Sequence, residues 1–99
     1  MKNFEDKLER AFMQVILDRL GKKKRSFSDF AVEVWPAPTP KKTAVGKFRQ
    51  LRTPSPVTGR CQSLSLGAAH RMAQALGEEL GYLLAVARER IKNEESETD

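Results

Sequence analysis

Residues 41–51 read Lys-Lys-Thr-Ala-Val-Gly-Lys-Phe-Arg-Gln-Leu, a basic segment with little acidity to balance it. Lysine, arginine, threonine and glutamine all donate hydrogen bonds, and the first two also neutralise anions. At helical spacing Ala44, Val45, Phe48 and Leu51 gather on one side, and Lys42, Thr43, Gly46, Lys47, Arg49 and Gln50 on the other. One face packs; the other offers donors. Gly46 adds an absence of bulk that lets a ligand approach the backbone, and the helix amino end offers backbone N–H groups to a phosphate. This is the chemistry of binding a polyanion.

The charge distribution agrees. Of the net +5, residues 1–20 contribute nothing, and residues 61–99 are net acidic. Residues 21–60 carry ten basic side chains against only Asp29 and Glu33, so the excess lies in the middle of the chain. A localised basic field draws in polyanions by displacing their condensed counterions. A solvated basic surface has the same composition, so charge alone does not decide between the two.

Catalytic and metal chemistry finds little support. His70 is the only histidine and has no second His, Cys or acid at metal spacing. Cys61 is the only cysteine, which excludes an internal disulfide, fits a reducing cytoplasm and leaves no partnered base for a nucleophile. There are no paired carboxylates at a plausible site and no phosphate-binding glycine loop. The expectation is a non-enzyme without cofactor or metal. Apolar runs fall far short of the roughly 20 residues that cross a bilayer, and no signal peptide is visible.

Five helices must position the basic segment, and no strand is expected. Helix 1 starts at Asn3 with Asp6 in its first turn, carries a stripe from Phe4 to Leu20, and stops at Gly21. Lys22–Arg25 follow in the turn, near the negative end of that helix, where a purely structural role is also open. Ser26 with Asp29 makes a capping box for helix 2, in which Phe27, Phe30, Ala31 and Val34 share a face. Pro36 ends it, and residues 35–40 form a stiff proline connector. Thr39 then caps helix 3, with Pro40 at its first position. Pro54, Pro56 and Gly59 mark a loop to Ser63. Leu64, Leu66, Ala69, Met72, Ala73 and Leu76 make the helix 4 stripe, closed by Gly77. Leu80, Leu83, Leu84, Ala87 and Ile91 make that of helix 5, available either to close the core or to pair two copies as a homodimer. The folded domain spans 1–92, and the acidic residues 93–99 are expected to fray. The aromatic residues Phe27, Phe30, Trp35 and Phe48 stand at core spacing, which favours packing over stacking on unpaired bases.

Residues 58–84, with Gly59-Arg60, the run Arg71-Met-Ala-Gln-Ala-Leu-Gly77 and Leu83-Leu84, resemble the fourth and fifth helices of lambda-repressor-like (Cro/XRE-type) helix-turn-helix regulators. Phe30-Ala31 is similar to the Leu-Ala of that family's second helix, and Val45-Gly46-Lys47-Phe48 to its third-helix core. The resemblance implies an all-α, five-helix helix-turn-helix domain that binds double-stranded DNA as a transcriptional regulator. It implies base contacts from Lys42, Thr43 and Lys47 in the major groove. Phosphate contacts then fall to Ser26, Arg49 and Arg52, with Lys24 and Arg25 beside Ser26. Phe27 stands where the family often carries a polar contact residue. Two departures are plain: the connector is about four residues longer than the family's tight turn, and Arg49 stands where an acid is usual. The competing reading is a protein-interaction module, of adaptor or antitoxin-like kind, that keeps the fold without DNA binding.

Overall fold

In the computed structural model, which describes the backbone of residues 4–97 and the side chains of 7–95, the chain forms five helices in order. They are α1 (Phe4–Lys23), α2 (Phe27–Val34), α3 (Lys41–Arg52), α4 (Leu66–Leu76) and α5 (Leu80–Glu97). Among the described residues there is no strand. The cap expected at Asn3 lies outside them.

The long helices α1 and α5 pack along each other, and the short helices α2 and α3 form a second pair. Helix α4 touches α1, α2 and α5 and joins the two pairs. One apolar cluster runs through all five, from Phe12, Ile16 and Leu20 through Phe30, Phe48 and Met72 to Leu83 and Ala87. Each fully buried side chain of this size contributes about 1.5–3 kcal/mol. Phe48 is the hinge pin of the α2–α3 pair. Its ring meets Phe30 at 5.4 Å and Phe27 at 5.5 Å, both edge to face.

Local signals set several boundaries as expected. The Ser26 hydroxyl accepts from the Asp29 N–H at 3.0 Å and caps α2, which ends at Trp35 just before Pro36. Gly77 closes α4 at φ +72°, with Gly77 and Glu78 donating back to the Gln74 and Ala73 carbonyls. That pair of bonds satisfies the end of the helix, and a left-handed φ costs glycine least.

Other boundaries differ, each for an identifiable reason. Helix α1 runs past Gly21 to Lys23, because the same closing pair is made one turn later. Lys24 takes the left-handed position at φ +54°, donating to the Gly21 carbonyl, and Arg25 donates to that of Leu20. Thr39 does not cap α3. Its N–H is taken by the Pro36 carbonyl in a turn, and Pro40 becomes the cap, with no side-chain hydrogen bond. Leu64 precedes α4, and Leu66 is 74% exposed although the stripe expected it inside. Of the α5 stripe, Leu83, Ala87 and Ile91 are buried within the chain and close the core, while Leu80 and Leu84 are half-buried. The acidic stretch expected to fray is helical through Glu97, with Glu95 reaching Lys7 of α1 at 3.6 Å.

Between α3 and α4 the loop folds on itself. Ser55 donates to the Arg60 carbonyl and Gly59 to that of Ser55, at 2.9 and 2.8 Å, with Gly59 at φ +71°. Gln62 donates to the Gln50 carbonyl of α3, and Leu64 to the Glu9 carboxylate of α1, at 2.9 and 2.7 Å. Both ties lie in the second half of the loop, one to α3 and one to α1.

Candidate nucleic-acid interface

Helix α3 buries Ala44, Phe48 and Leu51, leaving Lys42, Thr43, Lys47, Arg49 and Gln50 exposed. Neighbours on a helix surface are three and four residues apart, which sorts the outward side chains into two rows. One row is Lys42 and Arg49; the other is Thr43, Lys47 and Gln50. Lys42, Thr43 and Lys47, assigned to bases, therefore straddle the outward face. Gly46 sits between the rows, opposite the buried side, and open space surrounds the place where its Cβ would stand.

Nothing among the described residues occupies these donors. Among the described residues, the side chains of Lys41, Lys42, Lys47 and Arg49 make no ion pair or hydrogen bond, unlike Arg19, Arg25 and Arg90, which pair with Glu78, Glu33 and Asp18. No acidic residue occurs anywhere between Glu33 and Glu78, so α3, its loop and α4 form one acid-free block. Uncapped by any side chain, the first turn of α3 also keeps its backbone N–H groups free.

The α1–α2 turn divides differently from the expectation. Lys24 is exposed at the left-handed position, and the Ser26 hydroxyl, having accepted from Asp29, still has its own proton to donate. Arg25, however, is spent on the protein. Its guanidinium donates to the Ala75 carbonyl at 2.6 Å, pairs with Glu33, and lies over the Phe30 ring at 5.4 Å. Lys23 donates to the Leu76 carbonyl at 3.0 Å. Two side chains of the basic run thus cap the carboxyl end of α4 and complement its dipole. That is a structural role, and it holds the Arg25 guanidinium against α4 and Glu33.

Arg52 is also held. Its guanidinium lies 4.6 Å from the Phe27 ring centre and 5.3 Å from that of Phe48. The buried Nε has no partner. Burial, and secondarily the neighbouring Arg49 charge, push its pKa below the ordinary arginine value. Phe27, expected in the core, is 40% exposed and forms one wall of this stack. The stack pins Arg52 to the start of α2 and limits its reach.

Gln50 shares the donor side of α3 and is exposed there. The spacing i, i+4, i+7 from Thr43 was the signal that placed it in line with Lys47. Glutamine matters here because its amide pairs bidentately with adenine. Beside Gln50 and Arg49 the α3–α4 loop frames a hollow of about 460 Å³, walled by Thr53, Ser55, Thr58 and Arg60.

His70 is exposed on α4, and no group of three potential metal ligands occurs among the described residues. No described helix is long and apolar enough to cross a membrane. Comparison with protein-family profiles, curated proteins and solved structures finds no match to this chain.

Proposed function

We propose that this chain binds duplex DNA in the cytoplasm as a lambda-repressor-like transcriptional regulator, laying α3 in the major groove. The observation that carries the reading is the outward face of α3: cationic and amide donors without internal partners, on a helix locked from behind by Phe48. A groove about 12 Å wide admits one such helix, amino end first. Lys42, Thr43 and Lys47 face base edges, with Gln50 in line behind them. The phosphate contacts are Lys24, Ser26 and Arg49, with Arg52 restricted by its aromatic stack. A homodimer through α5, which would match two half-sites one DNA turn apart, has the half-buried Leu80 and Leu84 of that stripe open to it.

The test is the double substitution of Lys42 and Lys47 to alanine. Both side chains are exposed, so thermal stability stays within about 0.5 kcal/mol of wild type. Duplex affinity falls at least tenfold, about 1.4 kcal/mol. Unchanged affinity in the folded variant removes α3 from the interface.

A further inference from the structure

The α3–α4 loop carries a feature that core packing does not account for. Val57 is 90% exposed, the most exposed of the large apolar side chains among the described residues. It stands between Pro56 and Thr58 at the tip of a small knob. The Ser55–Arg60 and Gly59–Ser55 backbone bonds close the knob, and the Ser55 and Thr58 hydroxyls brace it by accepting from the N–H groups of Val57 and Arg60, at 3.1 and 3.3 Å. Pro54 and Pro56 remove further backbone freedom. A single exposed valine on a mobile loop needs no explanation. Here the tip is held in one shape, beside the outward face of α3, to which Gln62 ties it through the Gln50 carbonyl.

The surroundings say what the tip meets. Arg60 belongs to the knob itself, Arg49 and Gln50 face it across the hollow, and no acid lies in the segment from Val34 to Gly77. The one acid that borders the loop, Glu9 of α1, lies across a different hollow and accepts from the Leu64 N–H. Among the described residues, neither Arg49 nor Arg60 makes a side-chain hydrogen bond or ion pair. An apolar point flanked by unpaired guanidiniums matches a groove whose walls are sugars and whose rims are phosphates. Apolar wedges flanked by cations are how proteins enter the minor groove.

We infer that the Pro54–Arg60 knob is a second DNA-binding element, seating the Pro56–Val57 tip against the minor groove next to the major groove that α3 occupies. This rests on the reading of α3 as the DNA-binding helix. Val57 contributes contact with the sugar walls, and Arg60 a phosphate at the rim. The knob acts as a rigid body, so binding does not require the loop to order.

The experiment compares Val57→Glu and Arg60→Ala with wild type on a 20-base-pair A·T-rich duplex, with salt titration and netropsin as a minor-groove competitor. Both side chains are solvent-exposed, so melting curves stay those of wild type. Val57→Glu lowers affinity at least tenfold, Arg60→Ala makes the log–log salt slope shallower by about 0.9, and netropsin weakens wild type more than Val57→Glu. If both variants bind as wild type while Lys42→Ala with Lys47→Ala does not, the knob is no DNA element and the α3 reading stands. If Val57→Glu leaves DNA affinity alone but abolishes self-association, the tip is a protein contact and the inference fails. Absence of duplex binding by wild type overturns both.

Discussion

Gly46→Ala separates what α3 does for the fold from what it does for a ligand. Glycine inside a helix costs roughly 0.8–1 kcal/mol relative to alanine. Nothing lies within 4 Å of the Cβ that alanine would add, and Gly46 has no left-handed φ to oppose it. No strain offsets the gain, so the variant is stabilised by about 1 kcal/mol, raising Tm by roughly 4–8 °C in a domain of this size. The same methyl projects between the Lys42–Arg49 and Thr43–Gln50 rows, where a base edge or phosphate would approach. A tenfold loss of duplex affinity corresponds to about 1.4 kcal/mol and is the minimum expected. Circular-dichroism melting gives the first quantity, and fluorescence anisotropy with a labelled duplex the second. A variant that melts higher yet binds as tightly as wild type refutes the close approach at Gly46. One that melts lower refutes the placement of Gly46 on an open helix face.

Two further substitutions probe the turn before α2. Lys24→Gly relieves a left-handed residue, a conformation costing roughly 1–2 kcal/mol for a side chain with Cβ. The variant melts higher by calorimetry while its DNA salt slope becomes shallower by about 0.9, the share of one phosphate. Ser26→Ala removes the bond to the Asp29 N–H and costs about 1 kcal/mol by chemical denaturation. Its duplex affinity falls as well if the hydroxyl proton reaches a phosphate, whereas a cap alone would leave affinity unchanged.

What could be read from the residues was mostly what neighbours decide. Ser26 with Asp29, Trp35-Pro36 and Gly77 mark helix ends because a cap, a missing donor or a left-handed φ acts within a few residues. Phe30, Phe48 and Met72 fall in the core because helical spacing puts them on one face. The misreadings arise where distant partners intervene. Gly21 is a plausible stop until Lys23 and Arg25 find the α4 carbonyls some fifty positions away, and the helix extends to deliver them. Residues 93–97 look too polar to stay helical, yet α5 runs on through them, with Glu95 beside Lys7. Arg25 and Arg52 resemble free cations in a list of charges, yet Phe30, Phe27 and Phe48 hold them. The exposure of Lys42, Thr43 and Lys47 follows from the same periodicity that buries Phe48. The knob at Val57 was beyond reach, since its shape depends on backbone bonds that Pro54, Pro56 and Gly59 permit but do not specify.

The claim on which the account turns is that the unpaired donors of α3 neutralise DNA phosphates and read bases. Equilibrium binding of the full chain to duplex DNA across 50–300 mM salt, roughly the range over which phosphate contacts are felt, measures it most directly. The account predicts a linear log–log dependence with a slope of about −2.7, from the three cations placed on phosphates (Lys24, Arg49 and Arg60) at −0.9 each, and tighter binding to duplex than to single strands. A flat salt dependence, or no preference for the duplex, contradicts it.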